Sequence, residues 1–112
     1  MLLGEAWTIR LQRMEVRYHD ADLERLEFDP DSGGKWGRDV VRAFRKCVWL
    51  IRAAEDERSL YQMRARRFEK LQGARSGQYS MRLNDQWRLI MVIEKASPKN
   101  AIRIMGIEDY HS

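Results

Sequence analysis

Hydrophobic residues recur along this chain with two different periods, and the longest periodic stretch predicts a helix from Gly37 to Ala54. Its apolar residues recur at spacings of three and four and therefore share one face, whereas most of its charged residues fall on the other face. These apolar residues are Val40, Phe44, Cys47, Val48 and Ile51. A shorter helix is predicted before it, from Ala21 to Leu26, because Asp20 is a favourable N-cap and acidic residues follow in the first turn.

A period of two predicts strands on both sides of the helices. Glu15 to Tyr18 alternates as an edge strand does. Tyr79 to Leu83 alternates in the same way, and Asn84-Asp85 after it is predicted to be a two-residue turn, since both residues tolerate positive φ. The apolar run from Trp87 to Ile93 predicts a central strand covered on both faces. Ala101 to Ile107 predicts the last strand.

This order of elements is typical of an α+β domain, with an N-terminal strand and helices packed on one face of a small antiparallel β-sheet. The 112 residues suit one domain, which we assign to residues 14–112. Residues 1–13 precede a second methionine, Met14, and are interpreted as a flexible extension or a mispredicted start. The alternation of Trp7, Ile9 and Leu11 leaves a short strand as the alternative.

Charge is distributed unevenly along the chain, whose formal net charge is +4. From Met14 to Ser32 seven acidic residues stand against two basic ones, and from Arg58 to Arg88 eight basic residues stand against two acidic ones. If the basic segment forms one face, it predicts a surface for the phosphates of a nucleic acid. The alternative is a solvated face whose arginines pair with the acidic N-terminal segment.

The rest of the composition limits the classes of function. A single cysteine, Cys47, excludes a disulfide within the chain and a cysteine metal site, and it favours a reducing compartment. The two histidines lie far apart and the carboxylates are scattered, so we predict no metal site and no cofactor. No apolar run approaches the roughly 20 residues that span a bilayer. We therefore expect a cytoplasmic protein without a membrane partner.

The C-terminal residues Glu108-Asp109-Tyr110-His111 follow directly on the last apolar strand. Histidine titrates near neutral pH and can exchange protons, tyrosine can stack on a base, and a carboxylate can orient the histidine. Packing of a core does not require such residues there. Taken alone, these residues are either a proton-transferring site or a solvated tail.

Three segments, taken together, resemble toxins of the HigB type in the RelE/ParE superfamily. Residues 68–80, FEKLQGARSGQYS, are similar to the Leu-Lys-Gly-Asp-Arg-x-Gly-x-x-Ser core of these toxins. Residues 84–89, NDQWRL, resemble their Asn-x-x-Trp/Tyr-Arg-Ile strand, and residues 108–111, EDYH, resemble their terminal Asp-Tyr-His. The order and spacing agree over residues 67–111, and the earlier part of the chain fits a divergent branch.

The resemblance implies a RelE-like fold and a toxin that enters the ribosomal A site and cleaves mRNA. In such toxins the cut needs no metal, because the ribose 2′-hydroxyl attacks the adjacent phosphate while side chains move protons. The implied partners are the ribosome, mRNA and an inhibitory antitoxin with a helix-turn-helix, similar to HigA.

The same resemblance implies roles for individual residues. His111 is assigned as the acid or base, Asp109 as the carboxylate that orients it, and Tyr110 as a group that stacks on a base or positions a phosphate. Arg75 matches the loop arginine and Arg88 the strand arginine of the family. The predicted RNA-binding set is Arg67, Lys70, Arg75, Arg82 and Arg88.

Three positions depart from the family pattern. This chain has Glu69 and Gln72 where many members carry a histidine and a lysine, and Ala74 where they carry an aspartate. Glu69 is the candidate general base, provided that burial raises its pKa against the opposing effect of Arg66 and Arg67. The alternatives are a gyrase inhibitor of the ParE kind and a catalytically decayed toxin that only binds RNA or an antitoxin.

Overall fold

The computed structural model describes residues 13–29 and 31–110 of the chain. Strand β1 (Val16–Tyr18) is followed by helices α1 (Ala21–Phe28) and α2 (Arg38–Ala53). Three 3₁₀ turns follow, at Glu57–Gln62, Arg64–Arg66 and Gly73–Arg75. The remaining strands are β2 (Glu69–Lys70), β3 (Gln78–Arg82), β4 (Trp87–Glu94) and β5 (Ala101–Asp109). The proposed extension, apart from Arg13, lies outside the described residues.

The strands form one five-stranded sheet in the order β1-β5-β4-β3-β2. Three of the four pairings are antiparallel, and β1 lies parallel to β5. The pairing of β4 with β5 contains a bulge, because Ile90 lies opposite Gly106 and the next residue, Met91, lies opposite Ile104. The predicted α+β class is confirmed, with the first strand inserted parallel at one edge.

The predicted apolar stripe of α2 forms the centre of the core. Phe44, Cys47, Val48 and Ile51 are fully buried, as the helical period requires. They share one cluster with Met81 of β3, Leu89 and Met91 of β4, and Ile102 and Ile104 of β5. Asp20 caps α1 as predicted, since its carboxylate accepts a hydrogen bond of 3.0 Å from the Leu23 backbone.

Both α-helices therefore pack on one face of the sheet, the face to which Leu89 and Met91 of β4 point. Arg88, Ile90, Val92 and Glu94 alternate with them and point to the opposite face, which we call the open face. The expectation that β4 is covered by packed elements on both sides is wrong in this respect. Ile90 is nevertheless buried, because it lies beside charged side chains of the open face rather than under a second layer.

Two further features fix the geometry around the sheet. The β3–β4 connection is longer than the predicted two-residue turn, and the Asn84 side chain closes it by accepting hydrogen bonds from the Gln86 and Trp87 backbone at 2.9 and 2.8 Å. Neither Asn84 nor Asp85 has a positive φ. On the helical side, partly buried Glu27 of α1 joins β1 to α2 by accepting hydrogen bonds from Tyr18 and from Arg52.

Candidate active site

Three neighbouring strands bring charged side chains together on the open face. Arg82 of β3 lies opposite Arg88 of β4, and Arg88 lies opposite Glu108 of β5. Residues directly opposite one another on paired strands point to the same face, so these three side chains form a row across the sheet. The row lies at the end of the sheet that carries the chain's last described residue, Tyr110.

Glu108 holds two of the predicted RNA-binding arginines. It accepts two hydrogen bonds from Arg75, one of them at 2.8 Å, and one from Arg88 at 3.0 Å. Gln78 also holds Arg75, because its side-chain oxygen accepts from the Arg75 Nε at 3.0 Å and from a terminal nitrogen at 2.7 Å. The hydrogen bonds from Arg75, and secondarily those from Arg88, lower the pKa of Glu108 against the opposing effect of its partial burial.

Tyr110 lies among the other predicted site residues. The Arg88 guanidinium is 5.3 Å from the centre of its ring. Partial burial raises the pKa of the Tyr110 phenol, the nearby Glu69 carboxylate raises it further, and the charges of Arg67, Arg88 and Arg82 oppose this rise. The structure therefore brings Tyr110 close to Glu69, the candidate general base. It also brings Tyr110 close to three members of the predicted RNA-binding set, Arg67, Arg82 and Arg88.

Glu108 and Asp109 belong to β5, and the Tyr110 backbone N–H donates to the Gln86 carbonyl at 2.8 Å. A solvated tail is thus excluded for residues 108–110. Asp109 lies opposite Trp87, so it points to the other face from Glu108, and it accepts a hydrogen bond of 3.1 Å from the Gln86 side chain. His111, assigned as the acid or base that Asp109 orients, lies outside the described residues.

Glu69 lies on β2 opposite Ser80, at the margin of the open face. Its side chain is 50% exposed, and the nearest ion-pair contact is with Arg67 at 3.8 Å. The described residues therefore do not bury the Glu69 carboxylate, although its predicted role as a general base depends on such burial. Arg66, expected to act on Glu69, instead donates to the backbone carbonyls of Arg82 and Leu83.

The ion pairs contradict the predicted pairing of the basic segment with the acidic N-terminal segment. Arg67 pairs with Glu69, Arg82 with Asp85, and Arg75 and Arg88 with Glu108. Within residues 13–29 and 31–110, Lys70 is the one member of the predicted RNA-binding set without a carboxylate partner. The acidic N-terminal segment pairs elsewhere, for example Glu27 with Arg52. The four arginines of the predicted set are thus paired with carboxylates of β2, β5 and the β3–β4 connection.

Sequence reasoning missed Glu108 and Gln78 as site residues. Glu108 was noted only as a part of the terminal polar stretch. Alternation alone would place Glu108 and Arg103, five residues apart, on opposite faces, and the bulge between Ile104 and Gly106 is what brings both to the open face. Gln78 begins β3 directly after the loop that carries Arg75. Their importance depends on contacts with Arg75, which lies 33 residues before Glu108.

Two further searches cover the described part of the chain. They find no group of three or more His, Cys, Asp or Glu side chains placed to hold a metal ion. None of the described helices has the length and apolar character that crossing a membrane requires. The chemistry that the site offers consists of guanidinium groups, carboxylates and a phenol.

Comparisons with known proteins identify the family and the fold. The family model described as "RelE-like toxin of type II toxin-antitoxin system HigB" matches residues 16–104. The matched segment includes Glu69, Arg75 and Arg88, and it ends before the terminal motif. A search of curated protein sequences finds no match to this chain.

Solved structures extend the comparison to the whole fold. The chain is similar to a YoeB/ParE toxin from Agrobacterium tumefaciens with a TM-score of 0.55 and 12% identity, covering 87% of this chain and 99% of that one. It is also similar to YoeB from Staphylococcus aureus, whose structure is that of a dimer, with a TM-score of 0.54 and 19% identity over 89% and 99% of the two chains. At these identities the two structures show likeness of fold alone.

Proposed function

This chain belongs to the HigB-like family of RelE-like toxins of type II toxin–antitoxin systems, and from this premise we propose that it is a ribosome-dependent endoribonuclease that cleaves mRNA. Membership of the family implies an antitoxin partner. We further propose that this antitoxin carries a helix-turn-helix and resembles HigA, and that the toxin acts in the cytoplasm, where it meets translating ribosomes.

One observation carries the proposal. Tyr110 lies beside Arg88, within electrostatic reach of Glu69, Arg67 and Arg82, on the sheet face opposite the helices. An RNA strand needs a face that combines cations for phosphate with a flat ring on which a base can stack. A face held only by structural ion pairs has no need for such a ring beside its arginines.

The reaction that we propose is an internal transfer at phosphorus. The ribose 2′-oxygen attacks the adjacent phosphate, its proton passes to a base, and the bond to the 5′-oxygen breaks as that oxygen takes up a proton. The products are a 2′,3′-cyclic phosphate and a 5′-hydroxyl. The developing negative charge on phosphorus oxygens is stabilised by fixed guanidinium groups, for which Arg75 and Arg88 are the candidates. Protons move through side chains, and no step passes through a metal ion.

The surroundings of Tyr110 indicate its part in this reaction. Because burial and Glu69 raise the pKa of the phenol, it stays protonated at neutral pH. A protonated phenol donates a hydrogen bond or a proton to a phosphate or leaving oxygen, and it does not act as the base. We propose His111 as the base, with Asp109 as the carboxylate that orients it. Glu69, whose side chain is 50% exposed in the free protein, is the alternative and would act as a base only when bound RNA covers it.

The experiment programmes purified 70S ribosomes with a defined mRNA and maps the new 5′ ends. We expect cleavage by the full-length protein, reduced by about 10²- to 10⁴-fold in Tyr110→Phe, since positioned proton transfer contributes roughly that factor. Tyr61→Phe is the matched control, because Tyr61 is 54% exposed and packs against Phe68, which lies in the core under the helices.

Two outcomes would contradict the proposal. Intact mRNA under complete growth arrest, with an induced DNA-damage response, would favour a gyrase inhibitor of the ParE kind. Equal cleavage by Tyr110→Phe and the unaltered protein would leave the ribonuclease but remove Tyr110 from the reaction.

A further inference from the structure

The outward face of helix α2 carries positive charge that no carboxylate of the described residues neutralises through an ion pair. Arg38, Arg42 and Lys46 recur at every fourth position, so they lie along one stripe, and all three are exposed. No ion pair within residues 13–29 and 31–110 involves any of the three. This stripe points away from the core positions Phe44 and Val48 and therefore away from the sheet.

Arg45 extends the stripe and is held in place. Its Nε donates to the Leu26 carbonyl at 2.7 Å, and a terminal nitrogen donates to the Asp29 carbonyl at 2.8 Å. Both acceptors are uncharged, so the positive charge of Arg45 remains available. Arg38, Arg42 and Arg45 line a cleft of about 420 Å³ together with the glycines that precede the helix.

Asp39, the acidic residue of α2, does not cancel these charges. Its carboxylate accepts a hydrogen bond of 3.0 Å from the Asn84 side chain and is thereby held toward the β3–β4 connection. The contrast with the open face is direct, because there Arg75 and Arg88 share the Glu108 carboxylate. Within residues 13–29 and 31–110, four neighbouring cations of α2 thus have no carboxylate partner, and they lie on the side of the sheet opposite the open face.

We propose that this α2 surface binds the phosphodiester backbone of a folded RNA, while the open face receives the strand that is cut. Guanidinium forks suit phosphate oxygens, and a row of cations neutralises successive phosphates without regard to base identity. Trp49, 57% exposed, lies at the C-terminal end of the stripe and offers a flat surface for a ribose or base. The identification of that folded RNA with ribosomal RNA rests on the proposed function.

An acidic protein is the competing occupant, and the composition of the surface argues against it. Lysine and acidic residues are depleted in protein–protein interfaces, whereas arginine and tryptophan are enriched there, so Lys46 is the residue that counts against a protein partner. Here the centre of the outward face consists of Arg42 and Lys46, and the exposed aromatic ring lies at one end. Phosphates therefore fit the centre of this surface better than an apolar peptide does.

The test measures binding of a fluorescent RNA hairpin with a 12-base-pair stem by anisotropy over a series of salt concentrations. Two triple variants of the full-length protein are compared, each losing three positive charges at exposed positions. Glutamine preserves helix propensity at the positions that lie in α1 and α2. The first removes the stripe and carries Arg38→Gln, Arg42→Gln and Lys46→Gln. The matched control carries Arg25→Gln, Arg58→Gln and Lys95→Gln.

We expect the stripe variant to bind the hairpin about 10- to 100-fold more weakly near 0.1 M salt. Its slope of log K against log salt should become shallower by about 2 to 3, since each phosphate contact contributes about 0.9 to the slope. The control should stay within about twofold of the unaltered protein. Thermal melting of all three proteins establishes that each is folded.

Several results would overturn the inference. Equal losses in both variants would mean that net charge, and not the α2 surface, governs binding. Displacement of the hairpin by poly-L-glutamate at equal charge concentration would assign the surface to an acidic protein. Cleavage of mRNA on ribosomes is assayed separately, so the proposed function can fail while hairpin binding still depends on α2, and the reverse can also occur.

Discussion

Replacing Glu108 by glutamine should strengthen the binding of single-stranded RNA, although Glu108 lies in the candidate active site. The carboxylate lies between Arg75 and Arg88, where the phosphate of a substrate strand would also bind. Glutamine keeps the size of the side chain and one acceptor oxygen, so the change removes a charge with little effect on packing. Arg75 stays in position because Gln78 holds it independently, and Arg88 stays because it is only 16% exposed.

The size of the effect follows from the exposure of the two ion pairs. The side chains of Arg75 and Glu108 are 36% and 31% exposed, so solvent screens their attraction. Ion pairs of this kind contribute about 0.2–1 kcal/mol each. The two pairs together contribute about 0.4–2 kcal/mol. A phosphate that no longer competes with Glu108 should therefore gain roughly twofold to thirtyfold in affinity. One or two additional phosphate contacts steepen the salt dependence of log K by about 0.7 to 1.4.

The assay uses a short 2′-O-methyl RNA, in which the attacking 2′-hydroxyl is blocked, so that binding is measured without cleavage. Glu94→Gln is the matched control on the same face, since Glu94 accepts hydrogen bonds from Arg17 at 2.8 Å and from Arg103 at 2.6 Å. Arg17 there keeps a second carboxylate partner, Glu15. The control should change RNA affinity by less than about twofold.

Weaker binding by Glu108→Gln than by the unaltered protein would refute this argument, because it would mean that Glu108 orients the arginines for RNA and does not compete with it. An equal gain in Glu94→Gln would refute it as well, since the effect would then arise from net charge alone.

Two further predictions concern stability. Glu27→Ala should lower the free energy of unfolding by about 3 kcal/mol, because it leaves the largely buried Arg52 without its carboxylate partner. The melting temperature in calorimetry should then fall by about 10 °C or more, whereas Asp22→Ala, which breaks the exposed pair with Arg25, should cost under about 0.5 kcal/mol. Similar losses in both variants would contradict the assigned burial. The second prediction concerns pH. Hydrogen bonds from Arg103, and secondarily from Arg17, lower the pKa of Glu94 in the folded state. The stability that these contacts contribute is therefore fully present above the ordinary glutamate pKa of 4.5, and it is lost as the pH falls through the folded-state pKa. The melting temperature of Glu94→Gln should therefore fall less than that of the unaltered protein between pH 6 and about pH 3, and parallel curves would contradict the assignment.

The helices could be predicted from the sequence because their determinants are local. The stripe from Val40 to Ile51 follows the helical period, and the residues of that stripe are the ones buried in the core. Asp20 lies three residues before Leu23, which is the spacing that an N-cap hydrogen bond needs. The helical period and the N-cap spacing depend on residues within one or two helical turns of each other, so both can be recognised in the sequence alone.

The candidate site was predictable in part. Arg88 and Tyr110 were assigned through a resemblance in short motifs, and the structure brings their side chains together. The same motifs gave no indication that arginines of the predicted RNA-binding set would form ion pairs with carboxylates carried by the strands. They also gave no reason to separate Asp109 from Glu108, which point to opposite faces because side chains alternate along β5.

The sequence by itself determined the secondary elements, the α+β class and the family, since periodicity and motif spacing are properties of the chain. The tertiary structure alone decided which face of the apolar strand β4 stays open and which carboxylate lies between Arg75 and Arg88. The reason is physical: those contacts join residues 20 and 33 positions apart, and strand register, including the bulge at Ile90 and Met91, determines which side chains meet. The outward charge of α2 was visible in the sequence, but only the distribution of ion pairs in the fold showed that it is left unneutralised.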